Sequence, residues 1–304
     1  MSTARKRLPP EQRRFGAHMS IAGGLHLAIG RAAEVGCDCL QIFVKNQRQW
    51  RAPPLTDADL RSWQKALDET GISPVVAHAT YLINLASPDG PLWRRSISTY
   101  VGELRRCEKL GLIGLVIHPG SHMGKGDTWG LRRIAKALDR IHERTPGFAT
   151  HTILETTAGQ GTCLGHRFGH LADIISRTRE PGRVRICVDT CHIFAAGYDL
   201  TTDESYEKTL DELAGTVGLD RVAVFHLNDS LKPLGSRRDR HGEIGKHALG
   251  RGAFGRLVND TRFLGRPMIL ETPKGTDPRG RDLDRLNLAA LRRLIPKEKI
   301  KPAG

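Results

Sequence analysis

The sequence lacks the marks of several protein classes. No run of about 18 apolar residues occurs in its 304 residues, which excludes a membrane-spanning helix. The N-terminal stretch MSTARKRLPPEQRR is basic but has no apolar core after it, so we predict no secretory signal and a cytoplasmic protein. The six cysteines form no CxxC pair, and without export we expect them to be reduced thiols that fill the core or loops.

Aromatic residues are also scarce, at 5% of the chain, whereas 39% of residues are hydrophobic and 26% are charged. This composition is typical of a globular domain and excludes disordered and collagen-like chains. A chain of this length buries a core without disulfide bonds or structural metals. It is also long enough for one αβ barrel of about 250 residues.

Acidic residues are in deficit. The chain has 47 Lys and Arg residues against 33 Asp and Glu residues, which gives a formal net charge of +14 and a pI near 9.9. Such an excess indicates a polyanionic partner, with nucleic acid favoured over a membrane surface. The alternative is that the charge serves only solubility, and charge alone does not separate the two.

Short β-rich runs alternate with helical patterns along the chain. Eight βα units with short connections predict a single-domain (β/α)8 TIM barrel, an α/β fold, with a doubly wound open sheet as the alternative. The barrel is predicted over residues 15–296, between a mobile basic N-terminal tail (1–14) and a C-terminal tail (297–304). The predicted strands are Phe15–Ser20, Leu40–Val44, Pro74–Ala79, Gly114–His118, Thr152–Thr156, Val184–Thr190, Val222–Leu227 and Pro267–Thr272.

Helix signals lie between these strands. Thr56 followed by Asp59 predicts a capping box that opens a helix over residues 57–69. Apolar residues recur at helical spacing after Pro91, over residues 210–217, and over residues 283–294 before Pro296.

Side chains of the kind that bind metals close six of the predicted strands. Because all strands of a parallel barrel point the same way, these side chains would converge at its C-terminal mouth, where barrel enzymes keep their active sites. Without a bound cation, the carboxylates among them would repel one another and lose solvation. The six residues are His78, His118, Glu155, Asp189, His226 and Glu271.

Three further candidates follow strand ends. His192 lies one turn beyond Asp189, and Asp239 and His241 lie on the same side of an extended segment. Nine ligands fit two or three metal ions better than one, since a single zinc site takes about three or four. Mixed imidazole and carboxylate ligands favour Zn, Mn or Fe over Mg or Ca, and the set contains no thiolate.

Long motifs in a fixed order support a more specific interpretation. The sequence resembles the endonuclease IV family, also known as AP endonuclease family 2, from about Phe15 to about Leu294. This is a family of apurinic/apyrimidinic-site DNA repair enzymes on a (β/α)8 barrel. The motifs that carry the resemblance are KNQRQW (45–50), YLINLA (81–86), HPGSH (118–122), ETTAGQG (155–161), VDTCHIFAAGYD (188–199), FHLNDS (225–230), GSRRDRH (235–241) and ILET (269–272).

The resemblance implies three Zn²⁺ ions per chain, with Mn²⁺ able to replace zinc in part. The first ion would be held by His78, His118 and Glu155. Glu155 would bridge to a second ion, which Asp189, His226 and Glu271 also hold, and the third would lie between His192, Asp239 and His241. Four carboxylates and three Zn²⁺ sum to a charge of +2, which suits a phosphodiester.

The implied reaction is hydrolysis of the phosphodiester 5′ to an abasic site in double-stranded DNA, leaving a 3′-hydroxyl and a 5′-deoxyribose phosphate. A metal-bridged hydroxide at Glu155 and Glu271 would be the nucleophile. The family also clears blocked 3′ ends with phosphodiesterase and phosphatase activity. Arg48, Tyr81 and Leu82 match family loop residues that contact DNA while the abasic nucleotide flips out. We expect a monomer with no membrane partner.

Three positions depart from the family pattern. Thr156 replaces the usual Asn after the bridging Glu, Ala79 replaces the Asp that some members have, and His247 replaces a glycine in the loop 244–250. None of these changes a ligand, so they concern the orientation of ligands and the shape of the DNA-contacting loops.

Two other functions remain open at this stage. A sugar isomerase or epimerase on a related barrel would need only one Mn²⁺, held by Glu155, Asp189, His226 and Glu271, and would leave the other five ligands and the charge unexplained. A non-catalytic DNA-binding protein fits the charge but needs no buried carboxylate cluster. The number of bound metals and cleavage of abasic duplex distinguish these alternatives.

Overall fold

The computed structural model describes residues 13–296, in which eight parallel strands close into a barrel. Residues 1–12 and 297–304, which hold most of both predicted tails, lie outside the described residues. The strands in chain order are β1 (Arg14–Met19), β2 (Cys39–Phe43), β3 (Val75–His78), β4 (Gly114–Ile117), β5 (Gly120–Ser121), β6 (His151–Glu155), β7 (Cys163–Leu164), β8 (Val184–Asp189), β9 (Val222–His226), β10 (Asp229–Ser230), β11 (His241–Gly242) and β12 (Pro267–Leu270).

The barrel strands neighbour one another in the order β1-β12-β9-β8-β6-β4-β3-β2, and β2 returns to β1. The closed ring confirms the (β/α)8 barrel and is inconsistent with the open sheet. All eight predicted strands occur, with ends that differ by no more than two residues. The short strands β5 with β7 and β10 with β11 form two antiparallel pairs outside the barrel sheet.

Helices cover the outside of the barrel. The predicted capping box is present, because Thr56 accepts a hydrogen bond from the Asp59 backbone N–H and Asp59 accepts one in return. The described helices are α1 (Leu25–Val35), α2 (Asp57–Thr70), α3 (Gly90–Lys109), α4 (Asp127–Glu143), α5 (Phe168–Arg177), α6 (Thr190–Ala196), α7 (Asp203–Thr216), α8 (Gly250–Asn259) and α9 (Leu283–Arg292), with 3-10 turns at Pro181–Arg183, Leu219–Arg221 and Thr261–Phe263.

Two layers of apolar side chains form the core. The larger layer packs the helices against the outside of the sheet, with Trp63, Tyr100 and Phe254 among its fully buried members. The smaller layer fills the barrel interior with Cys39, Val76, Val116, Ile153, Cys187, Val224 and Ile269, one from each of seven strands.

The eighth strand, β1, contributes Gly16 to the interior layer. A Cβ atom at this position would lie 2.1 Å from the carbonyl oxygen of Cys39, so only glycine allows β1 and β2 to approach this closely. The interior below the mouth is therefore a packed apolar floor, as expected of a small barrel. In the described residues no helix is long and apolar enough to cross a membrane.

Candidate metal centre

A ring of polar side chains lies directly above the apolar floor. Side chains alternate between the two faces of a strand, so the residue two positions beyond each floor residue also points into the barrel. Each of the eight strands supplies one member, which lies at or just past the C-terminal end in six strands and one or two residues before it in β1 and β2. The ring consists of His18, Gln41, His78, His118, Glu155, Asp189, His226 and Glu271, which includes all six predicted strand-end residues.

Glu155 is a fully buried member of this ring and contacts several others. Its Oε2 atom lies 3.1 Å from His78 Nε2 and 3.0 Å from His118 Nε2. The ligand atoms of these three residues lie within 4.8 Å of one another, so they are able to share one metal ion. This is the group that the resemblance assigns to the first zinc.

The other oxygen of Glu155 faces the second group. Glu155 Oε1 lies 2.8 Å from His226 Nδ1, which in turn lies 3.3 Å from Glu271 Oε2 and 3.8 Å from Asp189 Oδ2. Glu155 therefore stands between two sets of ligands, one on each oxygen, as a bridging carboxylate requires.

The third group forms at the edge of the mouth. Asp189 caps α6 by accepting the His192 backbone N–H, which places His192 one turn into the helix and pointing back to the ring. The loop after β9 folds back on itself through the antiparallel pair of β10 with β11. This brings His241 Nε2 to 3.4 Å from His192 Nε2. Asp239 lies 3.1 Å from both imidazoles through separate oxygens.

Hydrogen bonds to the remote nitrogens fix the orientation of four of the five imidazoles. His78 Nδ1 lies 2.8 Å from the Ala79 carbonyl oxygen and His192 Nδ1 lies 2.8 Å from that of Thr156. His241 Nδ1 lies 3.2 Å from the Glu271 carbonyl, and His226 Nε2 lies 2.8 Å from Gln41 Oε1. Because a carbonyl only accepts, each remote nitrogen carries a proton and the neutral ring presents a lone pair at its other nitrogen.

That lone pair faces a carboxylate oxygen in every case, so two electron pairs would meet at about 3 Å unless a cation lies between them. A proton is one such cation. Burial alone would lower the pKa of His241, but without metal the carboxylates of Asp189 and Asp239 raise that pKa to about 9. Burial would raise the pKa of Glu155, but His226 and His118 hold that pKa well below its usual range. Metal ions are the other cations that fit this donor set, because imidazole and carboxylate together suit Zn, Mn and Fe.

Two thiols lie closer to the ring than sequence reasoning indicated. The Sγ atom of Cys187 lies within 4.8 Å of ligand atoms of Glu155 and His226, and that of Cys191 lies equally near Asp189 and His241. Burial raises the pKa of both thiols to about 12. Without metal they are therefore protonated at neutral pH, and both side chains are fully buried.

The predicted DNA-contacting residues lie on two adjacent loops at the mouth. Arg48 is exposed at the tip of the loop after β2. Tyr81 is 65% exposed, and its ring lies 5.6 Å from His78 and 5.7 Å from Phe43. Leu82 is half-buried behind it. The structure thus places these side chains beside the ring of candidate ligands without making them part of it.

A cavity of about 250 Å³ opens next to the first group of ligands. His78 and His118 line one side of it, and Tyr81, Asn84 and Cys163 line others. Because both imidazoles belong to the first candidate group, a molecule in this cavity would lie beside those ligands.

The three departures from the family pattern have identifiable roles. Thr156 accepts the Asp189 backbone N–H at its hydroxyl, and its carbonyl orients His192, so it positions members of two groups. The carbonyl of Ala79 orients His78. The His247 ring packs over Gly242, where a Cβ would lie 2.3 Å from it.

Sequence reasoning missed three polar residues of the site. Gln41 donates to Glu271 Oε1 at 2.5 Å while accepting from His226, and His18 Nδ1 lies 3.3 Å from the same Glu271 oxygen. Asn228 donates to Asp189 Oδ2 at 2.7 Å and accepts the Glu271 backbone N–H at 2.9 Å. His18 obeys the two-residue alternation from Gly16, so that rule could have found it, whereas an amide carries no signal of metal binding.

The chain is similar to known proteins over most of its length. Residues 29–294 match the AP endonuclease 2 family model, described as a xylose isomerase-like TIM barrel. The chain is 51% identical over 282 residues to a probable endonuclease 4 of Chloroflexus aggregans, covering 93% of this chain and 98% of that protein.

The chain is also similar to solved structures. Endonuclease IV from Thermus thermophilus superimposes with a TM-score of 0.80 at 36% identity, covering 92% of this chain and 98% of that one. A D-tagatose 3-epimerase-like protein superimposes with a TM-score of 0.70 at 17% identity, covering 92% and 96% of the two chains. At that identity the second match reflects the barrel fold alone.

Proposed function

Since the chain belongs to the endonuclease IV family and is therefore an endonuclease, we propose that it hydrolyses DNA 5′ to abasic sites in duplexes. The products would be a 3′-hydroxyl and a 5′-deoxyribose phosphate. The same centre would remove blocking groups from 3′ ends, because that reaction also breaks a phosphate ester. All nine candidate ligands come from one chain, which supports action as a monomer.

We propose that the nine side chains hold three zinc ions in the three groups described above. The observation that carries this proposal is the set of imidazole lone pairs aimed at carboxylate oxygens, with Glu155 facing a group on each side. When bound, such ions lower the pKa of water, polarise the phosphate and stabilise the leaving oxygen. The nine side chains would hold the ions, and the hydrogen bonds to the remote nitrogens would keep the imidazoles oriented for binding.

The chain's own loops would select the substrate. An abasic nucleotide has lost its base pair and much of its stacking, so turning it out of the duplex requires less free energy than turning out an intact one. The 250 Å³ cavity beside the first group of ligands would receive such a sugar, and the exposed Tyr81 is one of its lining residues. Arg48 on the neighbouring loop provides a cation for the phosphate backbone of the duplex.

A one-metal sugar isomerase would use only Glu155, Asp189, His226 and Glu271. That alternative gives no role to His192, Asp239 and His241, which the structure brings together at 3.1–3.4 Å. The shared barrel does not favour it, because the epimerase-like match extends to the fold alone.

The test is incision of a 5′-labelled duplex that contains one abasic site. We expect one cut 5′ to that site, loss of the cut when a chelator removes the metals, and its return with Zn²⁺. A duplex of the same sequence with an intact base is the matched substrate and should remain whole. A fully metallated protein that leaves the abasic duplex uncut would refute the proposal.

A further inference from the structure

A second cluster of metal-type side chains lies outside the ring and shares no residue with it. It comprises Asp127, His166 and His170, whose ligand atoms lie within 4.8 Å of one another. Asp127 opens α4, His166 lies in the turn before α5, and His170 lies in the first turn of α5. Both histidines are less than a tenth exposed, whereas the Asp127 side chain is 44% exposed and leaves a path to solvent.

We propose that Asp127, His166 and His170 form a separate binding site for a divalent transition metal such as zinc. A tetrahedral zinc with bonds of about 2.05 Å separates its ligand atoms by about 3.4 Å. The His170 Nε2 to Asp127 Oδ2 distance is already 3.4 Å. The rings of His166 and His170 have centroids 4.6 Å apart at an interplanar angle of 78°, so the two imidazoles meet edge to face rather than stacked.

Neighbouring groups orient two of these ligands. His166 Nδ1 donates to the carbonyl oxygen of Cys163 at 3.0 Å, which leaves the lone pair on Nε2 free. His122 Nδ1 accepts the Gly126 backbone N–H at 2.9 Å, so its Nε2–H points to Asp127 Oδ1 at 3.3 Å and leaves Oδ2 for a metal. Hydrogen-bonded ligands of this kind are typical of metal sites in proteins.

His170 is the weakest of the three ligands. Its Nδ1 accepts the Gly165 backbone N–H over a long 3.3 Å contact, so without metal the Nε2 atom carries a proton. Metal binding displaces that proton and gives up the contact. Arg167 and Arg237, whose charges help to lower the pKa of His166, also oppose a cation here. We therefore expect a weaker affinity than at the main centre, where four of the nine candidate ligands are carboxylates.

The position of the site indicates what a metal would do there. The loop after β4, which follows His118, and the loop after β6, which follows Glu155, are joined by the two-residue pair of β5 with β7. A metal between α4 and α5 would cross-link the far ends of these two loops. Because it would bind the folded state, its binding free energy would add to stability.

The experiment counts metals in a pair of proteins. The wild type and the double variant His166→Asn/His170→Asn are stripped, saturated with Zn²⁺, freed of loose metal and analysed for zinc per chain. Asparagine at position 166 still donates to Cys163 but offers no imidazole. We expect one zinc fewer in the double variant, and a smaller rise in its melting temperature when zinc is added.

Two further variants complete the design. Asp127→Asn keeps an acceptor for His122 and should lose the same zinc. Because the Asp127 side chain is partly exposed, we expect this variant to fold. His26→Asn, at a histidine outside both clusters, should keep the wild-type count. Equal zinc in the wild type and in both site variants would overturn the proposal. If the main centre bound fewer than three zinc ions, the zinc count of every protein would fall equally. The difference in zinc between the wild type and the site variants would still test this second site.

Discussion

At the scale of single residues, Gln41 is the least expected member of the ring. Its amide oxygen accepts the His226 Nε2 proton at 2.8 Å, and its amide nitrogen donates to Glu271 at 2.5 Å. One uncharged side chain thereby orients two ligands of the second group from below. Partners of this kind orient the metal ligands and raise their basicity.

We predict that Gln41→Met weakens binding at the second group, by about 10–100-fold in metal affinity. Methionine fills a similar volume but neither accepts from His226 nor donates to Glu271. A chelator-competition titration measures the effect, and Gln64→Met on the outer face of α2 serves as the control. An unchanged affinity in Gln41→Met would show that the remote hydrogen bond does not position His226.

Arg48 and Tyr81 are expected to act on DNA and not on metal. We predict that Arg48→Ala and Tyr81→Ala each slow incision of abasic duplex while zinc per chain stays at the wild-type value. Their side chains lie on loops above the ring and contribute none of the nine ligands. Arg48→Lys and Tyr81→Phe, which keep the charge and the ring, should retain more activity. Loss of zinc in either alanine variant would show that the loop helps to hold the metals, contrary to this prediction.

At the scale of secondary-structure elements, helix α3 anchors both loops that are predicted to contact DNA. Glu103 Oε1 lies 2.9 Å from Lys45 Nζ, and Glu103 Oε2 accepts the Thr80 backbone N–H at 3.1 Å. Lys45 also donates to the Gln49 carbonyl, and the Thr80 hydroxyl donates to that of Gln47. The loop that bears Arg48 and the residue before Tyr81 are thus held by one buried ion pair.

We predict that Glu103→Gln raises KM for abasic duplex more than it lowers kcat, because the loops lose their common anchor while the ring is intact. Zinc content should not change. The buried Lys45 would be left without its counter-ion, so we also expect a loss of about 3–5 kcal/mol in stability.

Glu108→Gln is the matched control on the same helix. Glu108 accepts the backbone N–H groups of Ala149 and Thr150, before β6 and away from the mouth. This variant should lose stability without a change in KM. Equal KM values for Glu103→Gln and wild type would contradict the proposal that Glu103 anchors the two loops for DNA binding.

Features that depend on nearby residues could be predicted from the sequence, whereas contacts between distant residues could not. Each barrel strand is a short local run, and all eight were predicted from periodicity. The end of α9 at Arg292, before the predicted Leu294, reflects how weakly local sequence fixes a helix terminus. The Lys45–Glu103 pair and the cluster of Asp127 with His166 and His170 were not predicted, because each joins residues far apart in sequence and only the closed barrel brings them together.

At the scale of the whole molecule, part of the excess positive charge lies beside the loops that are predicted to contact DNA. A cavity of about 520 Å³ lies between the loop after β2 and α3, and its lining includes Arg51, Arg94, Arg95 and Arg106. Arg95 lies over the Trp50 ring at 4.3 Å, which holds its charge at the edge of the loop. This placement links the net charge of +14 to a defined surface.

We predict that affinity for undamaged duplex falls steeply with salt, because Lys and Arg displace counter-ions from phosphates. About six phosphate contacts would reduce affinity by about 10³-fold between 50 and 200 mM salt. Arg94→Ala should reduce the slope of log affinity against log salt by about one. Lys208→Ala on α7 should leave the slope unchanged. An affinity independent of salt would argue against nucleic acid as the partner.

The central claim is that nine side chains from successive βα units form one three-metal centre at the barrel mouth. Anomalous diffraction at the zinc edge from zinc-loaded crystals tests it most directly. We expect three peaks within the ring region, one in each ligand group, with Glu155 between the first two, whatever the occupancy beside Asp127. A single peak between Glu155, Asp189, His226 and Glu271, with none between His192, Asp239 and His241, would contradict the account and favour a one-metal barrel enzyme.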